Sequence, residues 1–354
     1  VLLMLIPSMM LWSAGTKEQG SAKTDGAAVV TIWDFKYGDV QGVQPAMKKI
    51  DDLIMKNNPG LIIKHVGQPN DNYYQLVRAA VQAGQGPDIV MFHGGVQAYE
   101  FDDYTIGMDQ YIAPWRSEIS EFSWAYCSEG GDGSKPVHMV PLTTQGFGIY
   151  YNKALFKQAG LDPEKAPSDL DSFMAACEKL KKAGIVPMVA GLQGDPYTID
   201  FLFRCFIANI YGDNVKDLGT GRQNFKGNAQ FKRAAEIVQE MFAKGYVDPA
   251  GTSTPYFMDA ANNFAAGKGA MFVGLLSDVC HWKVFNDALG KDGVGYMPTI
   301  NFPGASFKDQ QVGQPAGIGY SVMKWSKNPE AAMKVVEAYA RGEGNAIWMG
   351  MTGA

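Results

Sequence analysis

Short β-branched and apolar runs alternate with stretches of helical spacing at the start of this chain. Val29 to Ile32 is the first such run, and it leads into Trp33-Asp34-Phe35-Lys36. From about Gln44 to Lys56 the apolar residues Met47, Ile50, Leu53 and Ile54 recur every three or four positions, which predicts an amphipathic helix. Asn57-Asn58-Pro59-Gly60 ends it, and Leu61 to Val66 reads as the next strand. Strand, helix and strand in this order predict a parallel pair. A second helix over Tyr73 to Ala83, closed by Gly84-Gln85-Gly86-Pro87, precedes a third apolar run, Ile89 to Phe92. The expected fold class is therefore α/β with a doubly wound, mainly parallel sheet.

Downstream, the Gly-rich stretch 130–136 precedes a strand from Val137 to Leu142. Thr143-Thr144-Gln145-Gly146-Phe147-Gly148 then runs into Ile149-Tyr150-Tyr151 and reads as an extended crossing between two lobes, a candidate hinge. Ser168 is the expected cap of a helix from Leu170 to Ala183, closed by Gly184. Ile185 to Ala190 reads as a strand leading to the polar and aromatic loop Gly191 to Tyr197. Helices are expected at Ile199 to Tyr211, Asn228 to Lys244 and Phe257 to Ala266, and a strand at Gly269 to Leu276, ending beside Ser277-Asp278.

Composition sharpens this picture. The length, 354 residues, suffices for two domains, and 46% hydrophobic content gives each a sizeable core. The 31 Lys and Arg against 36 Asp and Glu leave a net charge of -5, and with no long basic run nucleic acid is excluded as a partner. Cys127, Cys177, Cys205 and Cys280 show neither a CxxC pair nor metal-ligand spacing, and read as small buried hydrophobes. No cofactor and no metal site are expected. The first eleven residues are apolar, and the small and polar residues from Trp12 to Gly26 follow, the shape of an export signal and a flexible tether. A lipoprotein signal would place a Cys near Gly15, where there is none, so lipid anchoring is left open and an exported location is expected. A positively charged start is missing as well, and truncation at the N-terminus is expected.

The candidate chemistry sits at strand ends, where open α/β sheets bind ligands. Asp34 and Lys36 are two apart and project to one side of an extended segment, able to accept from and donate to neighbouring hydroxyls. His93 ends the third strand, Gln145 places an amide in the crossing, and Asp195 and Tyr197 share the same spacing on the other side. Rings beside charged and amide groups suit a carbohydrate, whose C–H faces pack on aromatic surfaces while its hydroxyls need polar partners. As a ligand contact, Asp34 is expected to tolerate alanine with weakened sugar binding and no unfolding.

Several segments, taken in order, carry a resemblance. They are TIWDF at Thr31, NPG at Asn58, DNYYQLVRAAVQAGQGPDIVMF from Asp71, YYNKALFKQAGLDP from Tyr150, AAGKGAMFVG from Ala265, GYMP from Gly295 and AGIGYSVMKWSKNPEAA from Ala316. In this order, from Val29 to Arg341, the chain resembles the extracellular (periplasmic) solute-binding proteins, family 1, of ABC importers, in the sugar-binding branch similar to the maltose-binding protein. The resemblance implies a two-lobed periplasmic-binding-protein fold with extended hinge crossings. After a signal remnant and tether over 1–28, lobe 1 would comprise 29–143 plus 316–354 and lobe 2 would comprise 144–315, with C-terminal closing helices missing beyond Ala354. It also implies a monomer with no active site. Such a protein encloses a mono- or oligosaccharide by hinge closure and delivers it to a membrane permease served by a separate ATPase.

By position, the resemblance places ligand contacts at Asp34 to Lys36, at Phe92, His93 and Gly94, at Gln145, at Asp195 and Tyr197, at Ser277 and Asp278, and at Gly317. Relatives often carry a carboxylate where Gln145 stands and a stacking tryptophan in the loop of Ser277. This chain has neither, which leaves Trp33, Phe92, Tyr197 or Trp282 as the stacking platform. Other readings stay open. Asp34 and Asp195 facing each other across a cleft could supply the two carboxyl groups, about 5 Å apart, of a retaining glycosidase. Tyr73-Tyr74 and Tyr150-Tyr151 raise an iron receptor, and a sensory adaptor presenting bound sugar to a membrane receptor is a further alternative.

Overall fold

The computed structural model describes residues 27–39, 43–69, 72–131, 133–194, 196–212, 226–275 and 279–352. Among the described residues, seven strands form one continuous sheet: β1 (Ala28–Asp34), β2 (Leu61–Gly67), β3 (Ile89–His93), β4 (Val140–Asn152), β5 (Met271–Leu275), β6 (Val294–Met297) and β7 (Val312–Val322). Their order is β2-β1-β3-β7-β4-β5, with β6 beside β4. β1 runs parallel to β2 and β3, β7 runs antiparallel to β3, and β4 is antiparallel to β5, β6 and β7.

The first half follows from its periodicity. After the short helix α1 (Lys36–Asp39), α2 (Val43–Asn57) buries Ala46, Met47, Ile50 and Ile54 along one face. Gly60, in the left-handed region at φ 91°, turns the chain into β2. The helix α3 (Tyr73–Ala83) ends at Gly84, at φ 61°, where the Gly84 and Gln85 amides donate to the Val81 and Ala80 carbonyls.

Two hydrophobic cores lie along this sheet. One gathers Val30, Ile32, Met47, Ile50, Phe92, Val140, Leu142 and, from the end of the chain, Ile318, Tyr320, Val336 and Tyr339. The other gathers Phe147, Ile149, Phe173, Leu202, Phe206, Ile237, Phe264 and Phe272. β4 contributes to both cores, its first residues to the first and Phe147 to Tyr151 to the second. The β4–β7 ladder slips at two successive steps: Pro141 pairs with Gly319, Thr143 with Ile318, and Gln145 with Gln314. Two residues of β4 thus oppose one of β7, and then Pro315-Ala316-Gly317 of β7 stand against Thr144 alone. Ala316 takes a left-handed φ of 45° there. Such bulges bend and twist a strand locally. They lie where the chain passes from one core to the other.

Local expectations fail where a neighbour claims the backbone. Ile185 to Ala190, read as a strand, keeps only single parallel bridges from Met188 to Val247 and Met271. Pro187 has no amide to give to a ladder. Ser168, read as the cap of the helix Leu170–Lys182, instead accepts the Asn301 amide through its carbonyl, and Asp169 takes the capping role. Its carboxylate accepts the Ser172 amide at 2.8 Å while the Ser172 hydroxyl accepts the Asp169 amide, a closed capping box. Asp169→Ala is expected to lower the unfolding free energy by about 1 kcal/mol, measured by urea denaturation. The helix expected over Phe257 to Ala266 is present but starts wider: a π-helical segment, Tyr256–Ala260, runs directly into the α-helix Ala261–Ala265. Cys127, Cys177 and Cys205 are free and buried.

Candidate functional site

The carboxyl ends of β1 and β3 lie side by side, and each delivers its polar groups differently from what sequence spacing suggests. Asp34 closes β1 with its side chain wholly inaccessible. Its Oδ1 accepts the amides of Lys36 and Tyr37, the latter at 3.1 Å, and so starts α1. Its Oδ2 accepts the Tyr320 hydroxyl at 2.6 Å and His65 Nε2 at 3.3 Å. Every lone-pair direction is taken within the protein, so Asp34 holds the loop that carries Lys36 instead of touching a ligand. Alanine at this position is therefore expected to destabilise the fold, contrary to the expectation for a surface contact.

His65, on β2, is the centre of this buried network. Its Nδ1 lies 2.9 Å from Asp51 Oδ2, and Asp51 Oδ1 accepts the Tyr339 hydroxyl at 2.7 Å. The Tyr37 ring stacks over the imidazole, with centroids 4.2 Å apart and planes 17° apart. Burial works against a charge on His65, but hydrogen bonds to Asp34 and Asp51 and the charges of both carboxylates outweigh it and raise its pKa to about 9. At neutral pH the ring is an imidazolium donating from both nitrogens. Neither His65 nor Asp51 stands out in the sequence. His65 sits in a strand and Asp51 on an amphipathic helix, and nothing local marks either as a partner of Asp34.

Phe92 is fully buried and stacks on Phe101 at 4.8 Å between centroids. The reason is the position of β3 between β1 and β7, which buries Ile89, Val90, Met91 and Phe92 in succession. Phe92 is thus a core residue and offers no stacking platform. His93 is the first residue of β3 to emerge, half-buried. Its ring stacks on Phe35 at 4.6 Å, and the Tyr74 hydroxyl lies 2.8 Å from its Nδ1. Burial first, then the nearby Lys36 charge, push the His93 pKa down to about 3, so this ring is neutral. Gly94 donates its amide to the Ala316 carbonyl at 3.1 Å.

The remaining candidates fall on the other side of this edge or at the crossing. Gln145 is partly buried on β4, and its side chain lies against Gly317, where a Cβ would sit 2.2 Å from Gln145 Cγ. Tyr197 opens the helix Tyr197–Tyr211, packs on Phe201 and Tyr256, and lies near enough to Tyr74 to add to the upward shift that burial imposes on that phenol. Tyr74, which packs on the first core and holds His93 at its hydroxyl, thus approaches Tyr197 of the second. Trp33 packs on the first core, whereas Trp282 packs against both cores. Asp195, Ser277 and Asp278 lie outside the described residues.

The tyrosine pairs are engaged internally. The Tyr73 hydroxyl donates to the Trp33 carbonyl and accepts the Met91 amide, Tyr150 donates to the Leu275 carbonyl, and Tyr151 to the Pro163 carbonyl. With Tyr74 bound to His93, none of the four phenols is presented as a metal ligand.

A model of the family described as bacterial extracellular solute-binding protein matches residues 37–346. Among curated proteins, the multiple sugar-binding protein of Streptococcus mutans is 25% identical over 204 residues, 57% of this chain and 45% of that protein. The sn-glycerol-3-phosphate-binding periplasmic protein of Shigella flexneri is 28% identical over 295 residues, 77% of this chain and 61% of that protein. The matches thus span about half to three-fifths of these relatives' length. Among solved structures, a chitin oligosaccharide binding protein superposes with a TM-score of 0.74 at 20% identity, covering 92% of this chain and 80% of the other. An ABC transporter solute-binding protein of Thermotoga lettingae with bound α-D-tagatose superposes with a TM-score of 0.73 at 20% identity, covering 93% and 81%.

Proposed function

Because the chain belongs to the bacterial extracellular solute-binding protein family, we propose that it is the substrate-binding component of an ABC importer, exported from the cell. In this reading it captures a mono- or oligosaccharide between two lobes and hands it to a membrane permease driven by a separate ATPase. Lobe 1 is residues 29–143 with 316–354, and lobe 2 is residues 144–315. The observation that carries the reading is the coincident bulging of β4 and β7 where the chain passes from one core to the other. A bulged two-strand link can absorb rotation of packed bodies that cannot themselves deform.

The ligand contacts in this reading are Lys36, His93 and Gln145 from lobe 1 and the crossing, and Asp195, Tyr197, Ser277 and Asp278 from lobe 2. Gly94 and Gly317 give the backbone close approach. Asp34 and Phe92 support the site from beneath. A carboxylate saturated by four donors, as Asp34 is, serves poorly as the acid or nucleophile of a glycosidase, which favours binding without chemistry. Ligand that touches both lobes favours the closed form through its differential affinity.

A thermal-shift screen against mono- and oligosaccharides and sn-glycerol 3-phosphate, with product analysis, tests the proposal. At about 100 times Kd a ligand that binds only the native state stabilises it by about 2.7 kcal/mol, so a saturable rise in Tm with unchanged sugar is expected. A response to the glycerol phosphate alone would replace the sugar by a phosphorylated polyol. Cleavage of a sugar would overturn the receptor in favour of a hydrolase.

A further inference from the structure

The Tyr74 hydroxyl makes two contacts with the same residue. It accepts the backbone amide of His93 at 3.0 Å and lies 2.8 Å from His93 Nδ1. An amide can only donate, so the phenol's one hydrogen is the group left to place. Among the described residues Nδ1 is its acceptor: were Nδ1 protonated, this buried phenol hydrogen would be stranded. The imidazole proton therefore lies on Nε2. Phe35 fixes the ring plane from one face, at 17° between planes, and Nε2 lies across the ring from the Nδ1 that Tyr74 engages.

We propose that Tyr74 is a positioning residue of the binding site: it locks His93 in the neutral Nε2–H tautomer, which makes His93 a fixed donor to a lone-pair oxygen of the ligand. This deepens the receptor reading above and rests on it. The oxygen can be a hydroxyl, ring or glycosidic oxygen of a sugar. It need not be charged, because the ring that meets it is neutral.

The charged and titratable groups around His93 come from two elements. Lys36 on α1 opposes a second positive charge, and Tyr74 on α3 offers its hydrogen to Nδ1. Tyr73, the other phenol of α3, is spent on Trp33 and Met91. Tyr197 approaches Tyr74 from the second core. None of these favours an imidazolium, and burial of the ring acts in the same direction. The donor is therefore constant across the pH range in which an ordinary histidine titrates, and so is its contribution to affinity.

Nitrogen NMR of histidine-labelled protein tests the lock without any ligand. The expected spectrum shows His93 with a protonated Nε2 and a bare Nδ1, unchanged from pH 5 to pH 8. An Nδ1–H tautomer, or titration of His93 in that range, overturns the lock. Binding then tests the donor, using the sugar that stabilises the parent most. Tyr74→Phe is expected to weaken it roughly 3- to 10-fold, because the ring is then free to exchange between its two neutral tautomers. His93→Phe is expected to weaken it more than 10-fold, and His93→Gln, whose amide can still donate, by less. Equal affinity in His93→Phe and the parent overturns the donor role whether or not Tyr74→Phe folds. If no ligand stabilises the parent, the receptor reading fails and the donor role with it, while the spectrum still decides the tautomer.

Discussion

His65→Leu is expected to lower the unfolding free energy by about 3–5 kcal/mol, the range for removing one partner of a buried ion pair. The leucine removes the cation that lies between Asp34 and Asp51 and leaves two carboxylates facing each other in a closed space. Urea denaturation of the parent and the variant measures the loss. Asp51→Asn is expected to lose less, because the Tyr339 hydroxyl and His65 keep a hydrogen-bonding partner there. The two substitutions act on one network, so their effects should not add.

The same network sets a pH dependence whose sign is opposite to acid denaturation. The folded pKa of His65, about 9, lies above the ordinary value of about 6.5. The native state therefore binds a proton that the unfolded chain releases between these values. The stability this contributes is fully present below about pH 6.5 and is lost as the pH rises through about 9. In melting curves from pH 6 to pH 9.5 the parent should lose stability progressively, and His65→Leu should lack that slope. A parent with a flat profile over this range would remove the imidazolium from the account.

Gly94→Ala carries the second large effect. A Cβ at Gly94 would lie 2.2 Å from the Ala316 carbonyl oxygen, 2.9 Å from Ala316 Cβ and 3.0 Å from Tyr126 Cβ. The first obstacle is backbone, and that carbonyl also accepts the Gly94 amide, so no rotamer change relieves the clash. β3 and β7 must separate at the point where β7 bulges. A loss of about 1–3 kcal/mol is expected, as for overpacked cores, together with weaker ligand binding under the proposed function, since His93 precedes this residue and the β7 bulge faces it. Gly350→Ala is the control. A Cβ there meets nothing within 4 Å in the helix Gly342–Thr352, and the change should be neutral or stabilising by up to about 1 kcal/mol. Equal stability of Gly94→Ala and the control would show that the β3–β7 contact yields.

The sequence made the scaffold readable wherever one short-range signal dominated. α3 spans the residues its periodicity marks, because a run of helical spacing ends at Gly84, the residue type the left-handed exit needs. Legibility stopped where two segments shared one resource. Ser168 and Asp169 are both good caps, and pairing with Asn301 decided between them. The candidate site divides in the same way. His93 emerges from β3 as its place at the end of a buried strand suggests, because a polar residue there has few other places to be. Phe92, one residue earlier, looked equally suited to a sugar but lies between two neighbouring strands.

What the chain determined by itself is the α/β alternation, the extended passage from Thr143 toward Tyr151, and the set of polar groups near strand ends. All of these follow from residue periods of two and 3.6 and from glycine and proline at the breaks. Tertiary structure decided what those polar groups do. Asp34 became internal because Tyr320, distant in sequence, and His65 on the next strand converge on it. His93 became a neutral ring because folding buries it and sets the Lys36 charge nearby, while Tyr74 of α3 reaches its Nδ1. A side chain's spacing says which way it can point, whereas its charge, protonation and freedom depend on the groups that folding packs around it.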